Sequence, residues 1–149
     1  MSEQWLLPDI EDADSAPFWE AAARGELVAQ VCASCGRRRM PPRPMCPQCR
    51  SLEHRWETLS GRGTIWSFVT AHPPLLPAYE AVAPYNVIVV ATREDPAVRF
   101  VGNLVESPEA PFYRTNLALL QIGAPVRVVF QEVCGVYLPR WMLETSERS

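Results

Sequence analysis

The spacing of apolar residues changes twice along this chain, and each change predicts a different kind of element. Phe18, Trp19, Ala21 and Ala22 recur at helical spacing just before Gly25. That pattern predicts one short helix: Asp14 or Ser15 can cap it, Pro17 fits its first turn, and Gly25 suits the left-handed position that ends it. Leu27 to Val31 is a brief apolar run with the length of a strand. From His54 the period falls to two, with His54, Trp56 and Thr58 alternating with Arg55, Glu57 and Leu59, which predicts another strand. Gly61-Arg62-Gly63 then breaks the chain. Runs rich in β-branched and aromatic residues follow at Thr64–Ala71, Tyr85–Thr92, Val98–Val105, Val126–Val133 and Val136–Leu143. Gly102 marks a bulge or bend within its strand. Of the links, Arg93–Pro96 reads as a turn, and Pro108–Leu120 has room for one helical turn. The proline-rich stretch His72–Pro84 is longer than an ordinary connection and so a candidate for function.

The fold class expected is mainly β: a short N-terminal helix, a small ribbon, then a five-stranded barrel of the OB type. Strand spacing alone leaves an SH3-like barrel or a small sandwich open. The domains expected are an acidic arm at 1–15, the helix and ribbon at 16–58, the barrel at 59–143 and a tail at 144–149. The arm carries Glu3, Asp9, Glu11, Asp12 and Asp14 and is expected to be mobile or ordered by a partner.

The ribbon is predicted from its cysteines. Cys32-Ala33-Ser34-Cys35 and Cys46-Pro47-Gln48-Cys49 are two C-x-x-C turns close enough to bring four thiols to one point. Four thiolates in a tetrahedron suit Zn2+, which is d¹⁰, redox-silent and accepting of soft sulfur ligands. Amides following each first cysteine can point at the sulfurs and offset their charge. Iron of the rubredoxin type takes the same ligand set. Disulfide pairing would leave Cys134 over, and no signal peptide is evident. A closed site of four cysteines has no open position for water, so the metal is expected to staple the fold rather than to catalyse.

Composition narrows the function. Net charge is −3, and all fourteen basic residues are arginine, which removes Schiff-base and lysine general-base chemistry. An acidic balance argues against a nucleic-acid binder. No apolar run approaches the roughly 18–20 residues of a membrane span. Reduced cysteines at metal-ligand spacing point to the cytoplasm. Two histidines, His54 and His72, are present without a nucleophile or acid in a recognisable arrangement, and no nucleophile elbow or phosphate-gripping glycine loop occurs. No catalytic residue is assigned.

The order of motifs is itself informative. Phe18-Trp19-Glu20, a C-x-x-C pair, Pro41-Pro42-Arg43-Pro44 and a second pair are followed by Gly61-Arg62-Gly63-Thr64-Ile65-Trp66-Ser67-Phe68, His72-Pro73-Pro74 and Ile122-Gly123-Ala124-Pro125-Val126-Arg127-Val128-Val129-Phe130. Over residues 16–143 this resembles the family long catalogued as domain of unknown function thirty-five. The resemblance implies a rubredoxin-like zinc ribbon, a C-terminal OB fold and a non-catalytic role. It also implies a partner that carries the active site: a thiolase, a thiolase-like aldolase or an enoyl-CoA hydratase, in lipid or steroid side-chain degradation. With acyl-CoA as ligand, Arg37, Arg38, Arg39, Arg43 or Arg62 would meet the phosphates. Trp66, Phe68, His72 and Tyr85 would flank the pantetheine or acyl chain, and Phe18 and Trp19 would face the partner. Two alternatives stand beside this reading: a single-stranded nucleic-acid binder of the OB type, and a stand-alone enzyme.

Overall fold

A computed structural model describes residues 5–144, so Glu3 of the arm and the tail beyond Glu144 lie outside the described residues. Helix α1 spans Ala16–Ala23, with Pro17 in its first turn. It ends in a Schellman motif: Gly25 has φ +79°, its N–H donates to Ala22 O at 2.9 Å, and the Glu26 N–H donates to Ala21 O at 2.9 Å. Ser15 occupies the capping position but donates its hydroxyl to Asp12 Oδ2 at 3.2 Å instead of bonding the helix.

The ribbon is a three-stranded antiparallel sheet in the order β2-β1-β3. Strand β1 (Val28–Cys32) is buried along its whole length, between β2 (Arg38–Arg39) and β3 (His54–Thr58). Strand β2 lies in the arginine- and proline-rich stretch that the periodicity did not mark as a strand. Its two residues pair with Val31 and Gln30.

The barrel follows. Strand β4 (Arg62–Ala71) leads to a one-turn helix α2 (Pro77–Glu80), then β5 (Tyr85–Thr92), β6 (Arg99–Gly102), β7 (Pro125–Val133) and β8 (Val136–Leu143). These form an antiparallel sheet in the order β6-β5-β4-β7-β8. Strand β4 bends at a bulge between Ile65 and Ser67. It pairs with β5 along most of its length but with β7 only over Arg62–Thr64. The opposite seam is bridged where Leu104 pairs in parallel with Trp141, so the barrel is nearly closed.

The core gathers on Ile65, Ile88, Val90, Phe100, Val126 and the fully buried Trp141. Gly102 makes room for this tryptophan, because a Cβ there would lie 3.1–3.2 Å from the indole ring and the ring would have to shift by a few tenths of an ångström. The same core runs on without a break into Phe18 of α1 and Leu27, Val28 and Ala29 at the ribbon base.

Three expectations are corrected. The strand predicted over 98–105 is regular only at Arg99–Gly102, because beyond it the chain turns to cross Trp141. The stretch 108–120 holds two 3-10 turns, Phe112–Arg114 and Leu117–Leu119. The first is pinned by the buried amide of Asn86, which donates to Leu104 O and Phe112 O and accepts from Leu104 N. The arm, expected to be mobile or ordered by a partner, lies against the barrel from Trp5 onward, where the indole meets the rings of Tyr79 and Phe112 at 5.1 and 5.6 Å. No helix among the described residues is long and apolar enough to cross a membrane.

Candidate metal centre and ligand-facing surfaces

The two cysteine turns are built alike. In the first, Cys32 N–H donates to Arg37 O at 2.9 Å and Gly36 N–H to Cys32 O at 3.0 Å. In the second, Cys46 N–H donates to Ser51 O at 2.9 Å and Arg50 N–H to Cys46 O at 2.8 Å. Gly36 and Arg50 hold the same place and both adopt positive φ, +78° and +68°. Each turn also aims an amide at its first sulfur: Cys35 N to Cys32 Sγ and Gln48 N to Cys46 Sγ, both 3.4 Å. The turns are laced together by Ala33 N–H on Glu53 O, Ser34 Oγ on Ser51 Oγ, and Arg37 Nη1 on Gln48 Oε1.

All four sulfurs lie within 4.8 Å of one another, with Cys32–Cys49 at 3.5 Å and Cys35–Cys46 at 3.7 Å. A tetrahedron with metal–sulfur bonds of about 2.3 Å has edges of about 3.8 Å, so the cluster fits one tetrahedral ion. Without a metal the four thiols share protons unequally. Cys32 is pulled down to about 6, chiefly by the Cys35 amide acting against burial. Cys46 is lowered by the Cys49 amide and then that of Gln48. Cys49 is pushed up to about 11: the Ser51 amide pulls it down, but hydrogen bonds with the neighbouring thiols and burial outweigh that pull. Cys32 and Cys46 are thereby biased toward the thiolate form that a metal takes, and Cys49 toward the thiol.

The nine residues expected around a ligand do not form one site. Arg37, Arg38, Arg39 and Arg43 line a groove of about 510 Å³ at the junction of ribbon and barrel, with Asp95 and Ala97 opposite. Several of these guanidinium groups already have partners. Arg38 bonds both Glu57 oxygens, at 2.7 and 3.2 Å, and lies 4.0 Å from Asp95. This pairing raises Arg38 and holds Glu57 below the usual carboxylate range. Arg39 is only 7% exposed and donates through Nη2 to Arg43 O, whereas its Nε and Nη1 have no acceptor among the described residues. Gln30, also buried, holds the Arg43 amide at 2.8 Å.

Arg62 lies elsewhere, paired with Glu144 beside a depression of about 320 Å³. Trp66 is 50% exposed on the outside of β4, with the Arg99 guanidinium 3.8 Å above its ring. Phe68 packs against the core, and His72 is exposed at the end of β4. Tyr85 belongs to an aromatic group with Tyr79 and Phe112 around a cavity of about 220 Å³. Of the two residues expected at a partner surface, Phe18 is 7% exposed and stacked 5.9 Å from Phe100, because α1 needs it to dock. Trp19 is half-buried beside it and lines an apolar groove of about 420 Å³ with Met40, Pro41, Pro42 and Val101. Sequence reasoning missed Trp5, Tyr79 and Arg140 at the aromatic cavity. The available signal was a lone charge at Arg140 in an otherwise apolar strand.

Compared with known proteins, residues 19–55 match the ChsH2 rubredoxin-like zinc ribbon domain, and residues 56–131 match the ChsH2 C-terminal OB-fold domain. The chain is 43% identical over 94 residues to a probable enoyl-CoA hydratase alpha subunit of Thermomonospora curvata, covering 62% of this chain and 28% of that one. It is 32% identical over 142 residues to the 3-oxo-4,17-pregnadiene-20-carboxyl-CoA hydratase alpha subunit of Mycobacterium tuberculosis, covering 95% of this chain and 40% of that one. It thus spans less than half the length of either hydratase subunit. A DUF35 domain-containing scaffold protein of Methanocaldococcus jannaschii is 28% identical over 109 residues, covering 72% of this chain and 69% of that one. Among solved structures, the Ltp2-ChsH2(DUF35) aldolase superposes with a TM-score of 0.75 at 33% identity, covering 91% of this chain and 98% of that chain.

Proposed function

Because this chain belongs to the ChsH2/DUF35 family of zinc-ribbon and OB-fold proteins, we propose that it works as a non-catalytic accessory subunit of an acyl-CoA-processing enzyme. The partner is a thiolase-like enzyme (thiolase or aldolase) or an enoyl-CoA hydratase. The chain stabilises that partner and guides the acyl-CoA, in lipid or steroid side-chain breakdown in the cytoplasm. One observation carries this reading: 91% of this chain superposes on 98% of a chain of the Ltp2-ChsH2(DUF35) aldolase.

The metal is zinc in this reading, held by Cys32, Cys35, Cys46 and Cys49. Bound there, it supplies charge neutralisation and cross-linking of the two turns and leaves no position for substrate. The groove of Arg37, Arg38, Arg39 and Arg43 is the surface best suited to the phosphates of CoA, since it gathers four arginines along one wall. The apolar groove beside Trp19 and Val101 is the surface best suited to burial against the partner.

The test is affinity purification of the tagged chain from its native lysate, with the co-purifying protein identified and the mass of the complex measured. The reading expects a thiolase-like or hydratase subunit in fixed ratio, and acyl-CoA turnover by the complex but not by the isolated chain. Turnover by the chain alone, or recovery of nucleic acid in place of an enzyme, would overturn it.

A further inference from the structure

The cavity under the N-terminal arm has a chemistry that the accessory role does not use. Its walls are the rings of Trp5, Tyr79, Tyr85 and Phe112, and Arg140 projects into it. Arg140 is a largely buried cation, and none of the ion pairs among the described residues includes it. Its partners among the described residues are neutral groups. Its Nε donates to Gln131 Oε1 at 3.1 Å, its Nη1 donates to Asn103 Oδ1 at 2.7 Å, and its guanidinium carbon lies 5.0 Å from the centre of the Phe112 ring. Gln131 is itself fixed, because its amide nitrogen donates to Pro108 O and Ala110 O. The guanidinium is therefore pre-oriented, and its Nη2 has no acceptor among the described residues.

Two phenols stand beside it. The Tyr79 hydroxyl accepts the Leu6 N–H at 2.9 Å, which leaves its own proton free to donate. Burial raises Tyr85, so that phenol stays neutral and remains a donor. A buried cation without a counter-charge is costly, and a positioned guanidinium with free donors recognises a carboxylate through two parallel bonds. The surrounding aromatic walls favour a flat apolar body. At about 220 Å³ the space falls below the roughly 300–1,000 Å³ typical of drug-sized sites, which limits the ligand to about one ring.

We propose that this cavity binds a small planar carboxylate, with Arg140 as the anion receptor, Tyr79 as a second donor and Trp5 as the stacking lid. The site lies away from the arginine groove of the ribbon and does not depend on the acyl-CoA reading.

The experiment is a titration of the full-length, metal-loaded, ¹⁵N-labelled chain with benzoate at fixed ionic strength, with benzamide as the neutral isostere and inorganic phosphate as a non-planar anion. Saturable shifts are expected at the Trp5 indole N–H and the Leu6 amide with benzoate. Benzamide and phosphate should bind at least about tenfold more weakly, the worth of one charge-assisted bidentate contact. Arg140→Gln should weaken benzoate by about tenfold or more with the rest of the spectrum in place, and Tyr79→Phe by about threefold. Should Arg140→Gln fail to fold, Arg140→Lys takes its place, and loss of the fork is expected to weaken benzoate about fivefold. Shifts that do not saturate, benzamide binding as tightly as benzoate, or undiminished binding in the Arg140 and Tyr79 variants would each overturn the proposal.

Discussion

At the scale of single residues, the two cysteine turns pose the same backbone problem and solve it with different side chains. Gly36 takes its left-handed conformation without steric cost, whereas Arg50 carries a Cβ at φ +68°. That conformation costs an L-residue about 1–2 kcal/mol, while a glycine costs about 0.5–1 kcal/mol in unfolded-chain entropy. Arg50→Gly is therefore expected to stabilise the metal-loaded protein by about 0.5–1 kcal/mol, seen as a higher thermal midpoint with unchanged metal content. A lower midpoint would mean that the Arg50 side chain has a structural role that outweighs its backbone strain. The Arg38–Glu57 pair makes a different kind of prediction. Arg38 holds the Glu57 carboxyl below its ordinary range, so the pair contributes stability above about pH 4.3, the unfolded value, and loses it as pH falls through the lower folded value. Both side chains are partly exposed, which limits the contribution to about 0.2–1 kcal/mol. Glu57→Gln should be less stable than the parent at pH 7 by that amount, and the two melting curves should converge in acid. A gap that widens toward low pH would contradict the assignment.

At the scale of elements, Phe18 decides whether α1 is part of the barrel. The helix is two turns long and would not persist in water by itself. Its docking rests on Phe18 stacked on Phe100, with Ala21 and Ala22 fully covered. Phe18→Ala should cost about 3–5 kcal/mol, with α1 amides exchanging fastest of all the core elements; an exchange pattern unchanged at Ala21 and Ala22 would show that α1 is held by other contacts. The helix was legible in the sequence because its proline and its terminating glycine are local signals, and so were the strands with clear alternation. What could not be read was decided by partners distant in sequence. Strand β2 exists because Gln30 and Val31 offer it an edge, and regular pairing stops at Gly102 because the chain must pass the Trp141 ring. The same holds at the candidate sites. The C-x-x-C spacing located all four thiols, while the arginines looked alike in sequence. Only the fold shows that Arg38 and Arg62 are engaged by Glu57 and Glu144, and that Arg140 faces a cavity.

At the scale of the whole molecule, the question is whether ribbon and barrel are one cooperative unit or two. The four-cysteine site lies at one end of the ribbon, where β1 finishes at Cys32, while the other end of β1 places Val28 and Ala29 in the core shared with Ile65 and Val126. The cysteine site is thus separated from the barrel by a buried strand and not by a hinge. Structural zinc in small ribbons contributes on the order of 10 kcal/mol to the fold around it, so its removal should melt the cysteine turns outright. The barrel core has its own cross-strand pairing and the buried indole of Trp141, neither of which touches the metal. Chelation is therefore expected to raise amide exchange in the stretch from Val31 to Cys49 by at least about a hundredfold, while Ile88 and Val90 stay within about threefold of the loaded protein. Acid should release the metal in the same order, because protons compete for the four thiolates and the apparent metal affinity falls with pH. If Ile88 and Val90 lose protection together with the turns, the continuous core transmits the loss. The metal would then support the surfaces near Trp19 and Arg140 as well as the ribbon, and partner binding would be lost on chelation along with the ribbon fold.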